Sequence, residues 1–223
     1  MAGHISTFIV NGGGASTFNG IMRDQSGGSG AGLLRLVKDG AGTLTLSGAN
    51  ITHTGGTTVN DGKLILGAGG ANGTIRGTLT VNGPGVVEYA GANSFGYTAG
   101  ASVNVLNING GTVGNAGFNN HFWNSFQLNM TGGTLNLGGT LNEFSNPTIT
   151  ANAAAVSSQI VAVDAGAVLR LRDSTSGTFN VADGAAAVDL DINAPITQSG
   201  VSGITKAGAG TLQLSGANTY SGI

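Results

Sequence analysis

The chain has 223 residues, with 42 glycines, 3 prolines, no cysteine, 8% charged residues and a net charge of −2. Glycine without a three-residue period excludes collagen, and the 40% hydrophobic content excludes a disordered chain or a simple linker. The near-neutral balance gives no electrostatic case for nucleic acid or an anionic membrane. A soluble domain averages roughly 25% charged residues. This composition therefore predicts an ordered β protein, rich in turns, whose surface is Thr, Ser and Asn. Without disulfides, durability has to come from extensive backbone pairing. No apolar run of 18 residues exists, so no helix is expected to span a membrane. The opening "MAGHISTFIV" lacks the basic and long apolar regions of a signal peptide, which favours reading the chain as a piece of something longer.

Short alternating segments follow one another along the chain. "TLTLS" (43–47), "KLILG" (63–67), "TLTVN" (78–82), "QLNMT" (127–131) and "TLNLG" (134–138) each place one aliphatic row inward and one polar row outward. "VLRLR" (168–172), "VDLDI" (188–192) and "TLQLS" (211–215) do the same. Gly-Gly, Asn-Gly and Asp-Gly pairs between them supply the positive φ values of sharp turns. Only residues 149–163, "ITANAAAVSSQIVAV", could pass for a helix, and their β-branched ends favour strand at least as well.

Two repeats are nested in this pattern. "KDGAGTLTLSGAN" (38–50) returns as "KAGAGTLQLSGAN" (206–218), 168 residues later, with 11 of 13 positions identical. "LNINGGTV" (106–113) returns as "LNMTGGTL" (128–135) at an offset of 22 residues. Strands recurring about every 20 residues through glycine turns predict a single β-solenoid over 1–223, of roughly ten coils. The 168-residue offset reads as the length of one module, and the sequence breaks off at "YSGI", inside the second copy.

The stretch "KxGAGTLxLSGAN", followed by "TGGTTVNDGKLILG" (54–67), resembles the autotransporter-associated β-strand repeat of bacterial passenger domains. The first copy spans 38–67, with His53 where the family usually has Tyr; the second spans 206–223 and is truncated, though it has Tyr220. The resemblance implies a right-handed parallel β-helix, all-β, without cofactor. It also implies a secreted or cell-surface location, associated with the outer membrane of a Gram-negative bacterium. In this frame Leu44, Leu46, Leu212 and Leu214 fill the core, while Gly40, Gly42, Gly48, Gly208, Gly210 and Gly216 turn corners. Lys38 and Lys206 cover a corner. Asn50 and Asn218 are either inward amides or plain turn asparagines.

Chemistry-bearing residues are sparse. Asp189 and Asp191, two apart on one strand, are the weak candidates for paired acid and base work on a polysaccharide. His4, His53 and His121 are scattered, so no metal site is expected. "GFNNHFWNSF" (117–126) carries the only Trp and reads as a protruding aromatic loop. There His121, Phe122, Trp123 and Phe126 are candidates to stack on sugar rings, or to fold back as a cap. Tyr89, Phe95 and Tyr97 belong to a neighbouring segment that would join them in one patch if both protrude on the same side. A surface-binding role through threonine ladders is disfavoured, because Thr43-x-Thr45 becomes Thr211-x-Gln213.

The sequence thus reads as a non-catalytic structural or adhesive module, a stalk or passenger segment of a long secreted protein. Its partners are copies of itself or adjoining modules end to end, and a glycan or host surface; no nucleic acid and no membrane insertion are expected. The alternative is a β-helix that binds or cleaves glycans through the aromatic loop and the aspartates.

Overall fold

The computed structural model describes residues 4–25, 32–123, 125–174 and 176–222. Within them the chain is all-β, with no helix, and every strand-to-strand ladder is parallel. Two nine-stranded sheets run the length of the molecule. Face A starts with Ile5–Asn11 and ends with Ile204–Ala207; face B starts with Ala15–Phe18 and ends with Leu212–Leu214. A four-stranded face C joins His121–Phe122, Asn142–Ser145, Leu169–Arg172 and Ile196–Gln198. Consecutive strands alternate between faces, so each coil pairs with the coils before and after it: a parallel β-solenoid.

The solenoid makes about eight turns rather than roughly ten, because its coils are longer than the short repeat suggests. The offset between paired residues is 21 from Leu36 to Thr57 and 22 from Leu106 to Leu128. It is 28 from Ile5 to Leu33, 27 from Leu79 to Leu106 and 30 from Ile149 to Phe179. The strands stay paired across these longer steps, with one register shift between Gly77 and Thr78. Nine strands at about 4.8 Å give a rod roughly 40 Å long.

Alternation in sequence becomes columns in space. On face B, Leu44, Leu64, Val87, Val113, Leu135, Ile160, Ile192 and Leu214 stack coil on coil. On face A the same holds for Val59, Val81, Ile108, Met130, Ala151 and Val181. All of these side chains but Leu214 belong to one continuous buried cluster, and Leu214 packs against it. Residues 149–163, the ambiguous stretch, form the strands Thr148–Ala151 and Ser158–Ala162 around a turn.

The outward rows are held by amides. Asn60 Nδ2 donates to Asp39 Oδ1 at 2.7 Å, Asn82 Nδ2 to Asn60 Oδ1 at 2.7 Å, and Asn109 Nδ2 to Asn82 Oδ1 at 2.9 Å. Beside this ladder, Thr58, Thr80, Asn107, Asn129, Thr150 and Asn180 form a second outward column. A mixed Thr/Asn ladder therefore does continue from coil to coil, on face A rather than on face B.

The second repeat copy sits two residues along from the columns of the first. Lys38 precedes Val59 in its column, whereas Lys206 pairs with Phe179, in the column of Leu36 and Leu79. A slip of two residues keeps inward residues inward, so the core tolerates it.

Candidate functional site

The stretch 117–126 does not protrude. Leaving aside Asn124, which lies outside the described residues, it forms a coil edge that begins face C. Phe122 and Phe126 point into the solenoid and are 1% and 0% exposed. Phe122 stacks on Phe144 of the next coil at 4.3 Å and 19°, and meets Phe95 edge-on at 5.8 Å. Phe95 in turn meets Tyr89 at 5.2 Å. Burial pushes the Tyr89 hydroxyl far above the usual tyrosine range. With Phe126, 4.8 Å from Phe122, these five rings form an internal aromatic ladder, which removes Phe122 and Phe126 from any role in touching a ligand.

The alternate residues of the same strands face outward and meet. His121, Glu143 and Arg170 are register partners along face C. The Glu143 carboxylate accepts from Arg172 Nη1 at 3.0 Å and lies 3.8 Å from Arg170 and 3.4 Å from His121 Nε2. The Arg172 guanidinium reaches over the Trp123 ring, 4.0 Å from its centroid. Trp123 stacks on His121 at 4.9 Å with 4° between the planes. Tyr97, from the preceding coil, closes the group at 4.8 Å from Trp123 and 5.5 Å from His121. Two aromatic segments distant in sequence thus share one patch. Burial holds the His121 imidazole below the usual histidine range; Glu143 opposes that shift and Arg172 adds to it. With Asp173 Oδ1 accepting from Arg172 Nε at 3.0 Å, the two arginines and two carboxylates balance, and the rings of the patch are largely engaged with one another. Trp123 Nε1 and His121 Nδ1 are its buried donors or acceptors without a hydrogen-bond partner among the described residues.

The two aspartates do not converge. Asp189 is 3% exposed and lies in the turn before Leu190–Ile192. Its Oδ1 accepts from the Gly184 amide at 2.8 Å and its Oδ2 from the Thr211 amide at 2.8 Å. Asp191 faces outward between Gln159 and Gln213. One carboxylate is a corner clamp and the other lies half-buried on the outward row, its Oδ1 without a hydrogen-bond partner among the described residues, so no acid and base pair forms. Among the described residues no group of three or more His, Asp or Glu could hold a metal ion. His4 is exposed, whereas His53 is fully buried with Nε2 3.0 Å from Thr57 Oγ1.

The repeat residues have structural positions. Leu44 and Leu46 are 3% and 0% exposed, while Leu212 and Leu214, in the last described coil, are only half-covered. Gly40 has φ +71°, a conformation that favours glycine, and a side chain on Gly42 would collide with the Gly14 carbonyl. Gly208 repeats the first feature at φ +81°, and Gly210 repeats the second against the Ala182 carbonyl. Gly48 and Gly216 stand likewise against the backbone of the preceding coil. Asn50 is an exposed turn residue, but Asn218 Oδ1 accepts from the Ile196 amide at 2.8 Å. The two asparagines therefore divide the two alternatives between them.

Lys38 is more deeply placed than a corner cover. It is 1% exposed, on the inward row, and its ammonium donates to Asp39 O at 3.0 Å, Gly40 O at 2.6 Å and Asp61 O at 3.2 Å. Burial lowers its pKa against the opposing pull of Asp61 and Asp39. Lys206 is exposed and keeps one of these bonds, to Gly208 O at 2.8 Å. Residues 36–66 and 204–223 match the family model of the passenger-associated-transport-repeat. The chain carries autotransporter passenger repeats. Both matched segments coincide with the coils that hold the buried lysine corner and its exposed counterpart. No curated protein and no solved structure matches the chain significantly. A passenger repeat is a structural unit rather than a known enzyme family, and it implies a secreted or surface protein of a Gram-negative bacterium.

Sequence reading missed two kinds of clamp. Asp164 Oδ2 accepts from the amides of Gly117 and Gly139, both at 2.6 Å, and so ties three coils together. Asn115 accepts from Tyr89 N at 2.7 Å and donates to Tyr89 O at 3.1 Å. A corner Asn or Asp recurring once per coil is the signal that would have found them.

Proposed function

We propose that the chain is a non-catalytic structural and adhesive module: a stalk segment of an exported protein held at the bacterial outer membrane, stacking end to end on adjoining modules or on other copies. The observation that carries this reading is the lysine corner. In the first copy the following coil supplies the Asp61 carbonyl as the third acceptor for Lys38. In the second copy Lys206 bonds a carbonyl of its own turn, and Leu212 and Leu214 are only half-buried. Phe8 and Phe18, inward residues of the first coil, are likewise incompletely covered, with Phe8 40% exposed. Such faces favour a further coil.

Light scattering and electron microscopy at rising concentration test the association. Rods that lengthen in steps of about one module support it, and a strictly monomeric chain at all concentrations would sink it. Release of new reducing ends from any polysaccharide would overturn the non-catalytic reading separately.

A further inference from the structure

We propose that the Gly55–Gly56 corner is a binding site for an acidic oligosaccharide, gripped by Arg35 and Arg76. Two cavities flank this corner. One, of about 300 Å³, is lined by Arg76, Thr54, Ser102 and Asn104 among others. The other, of about 390 Å³, is lined by Arg35, Thr58, Thr78 and Thr80 around the same two glycines. A side chain on Gly55 would run against the Leu34 backbone, and Gly56 has φ +91°, so the ridge between the cavities stays bare.

Neither guanidinium here is ion-paired among the described residues, although the Asp24 carboxylate lies at Thr54. Lys63, Arg170 and Arg172 all stand within 4.0 Å of a carboxylate, whereas Arg35 and Arg76 do not among the described residues. Arg35 is steered onto the corner by one bond, Nε to Gly55 O at 3.3 Å. Arg76 Nε is buried without a hydrogen-bond partner among the described residues. Asp24, which touches Thr54, is already used: its oxygens accept from the Leu34 amide at 2.8 Å, the Thr54 amide at 3.0 Å and the Thr54 hydroxyl at 2.6 Å. His53, adjacent, is held toward its neutral form by burial. A guanidinium with unmet donors matches a planar carboxylate or a sulfate, which it can take bidentately.

The spacing points to a chain-like ligand. Arg35 precedes Leu36, the partner of Thr57, and Arg76 stands two residues before Thr78 in the coil after that. Two coil steps at about 4.8 Å separate the cations by roughly 10 Å along the rod. The Arg35 side adds the hydroxyls of Thr58, Thr78 and Thr80. A hydroxylated polymer with repeated anionic groups satisfies both features, whereas a neutral sugar leaves both guanidiniums unmet.

Calorimetry on the full chain at low salt tests this with an oligogalacturonate, a heparin fragment, a neutral malto-oligosaccharide and inorganic sulfate. At least one acidic oligosaccharide is expected to bind. Arg35→Gln and Arg76→Gln should each weaken it by roughly tenfold or more, Arg76→Lys by less, and Arg170→Gln not at all. Raised salt should weaken it further. Because Arg76 Nε has no hydrogen-bond partner among the described residues, its variants should keep the wild-type melting temperature. Failure of both acidic probes to bind, equal binding of the neutral one, sulfate binding as tightly as the oligomers, or indifference to both arginine changes would overturn the assignment.

Discussion

Replacing Lys38 by Met isolates what the buried ammonium contributes. Met fills nearly the same volume, so the packing against Val59 survives and only the three bonds to Asp39 O, Gly40 O and Asp61 O are lost. Hydrogen bonds to a charged group contribute about 1.5–3 kcal/mol each, but the buried ammonium also carries a desolvation cost of several kcal/mol. The three carbonyls left unpaired at the corner set the balance, at about 1 kcal/mol or more apiece. Lys38→Met is therefore expected to cost about 2–4 kcal/mol. Lys38→Ala removes about three further methylenes of buried stem, adding about 2 kcal/mol. Lys206→Met is the internal control: same motif, exposed, one bond, and an expected cost of about 0.5 kcal/mol or less. Urea unfolding, followed by far-ultraviolet circular dichroism and by Trp123 fluorescence with coincident transitions, measures all three. Equal midpoints for Lys38→Met and Lys206→Met would refute the corner argument. So would a Lys38→Met variant more stable than wild type, since desolvation would then outweigh the bonds.

Leu46→Asp should cost more than about 4 kcal/mol or prevent folding, because Leu46 is 0% exposed between Phe18 and Leu66 and the charge would have no partner; an unchanged melting temperature would mean the register is wrong. Burial lowers the pKa of His53 below its unfolded value near 6.5, so its contribution to stability is complete above that pH and is lost as pH falls toward and through the folded pKa. His53→Phe should flatten that part of the stability profile below about pH 6.5, and an unaltered profile counts against the assignment. Trp123 is the only tryptophan and stacks on His121, so its fluorescence should change as His121 protonates, with a midpoint below the ordinary 6.5. The change should vanish in His121→Gln; persistence there would separate the indole from the imidazole.

The rod itself was legible in the sequence because period-2 alternation and glycine punctuation act locally. Leu44, Leu46, Leu135 and Ile192 could be placed inward from their neighbours alone. Coil number was less legible, since it depends on corner insertions that carry no periodicity. The aromatic segment shows where local reading stops. Phe122 and Trp123 are adjacent in "HFW", and strand alternation sends one into the core and the other out. Reading the segment as a loop lost that parity. The salt-bridge group around Glu143 was out of reach, because Arg172 lies 29 residues on and only the register of face C joins them. Lys38 misled for a different reason: a lysine on an aliphatic row normally signals a surface position, and only the three converging carbonyls make its burial possible.

The coils of plain length and the lengthened ones do different work. Where the offset is 21 or 22, the corners are tight and their polar groups bind the neighbouring coil. Where it rises to 27, between Leu79 and Leu106, the longer connection leaves Thr98, Ala99 and Gly100 exposed. That one segment contributes Tyr97 to the aromatic patch on one side and Ala99, Gly100 and Ser102 to the arginine cavity on the other. Both distinctive surfaces of the rod therefore depend on a single insertion that leaves the strand columns in place. A scaffold whose stability comes from stacked strands can vary such corners at little cost, since a longer loop adds only slowly to the closure entropy. Recognition on this molecule is thus expected at its lengthened corners, and stability along its columns.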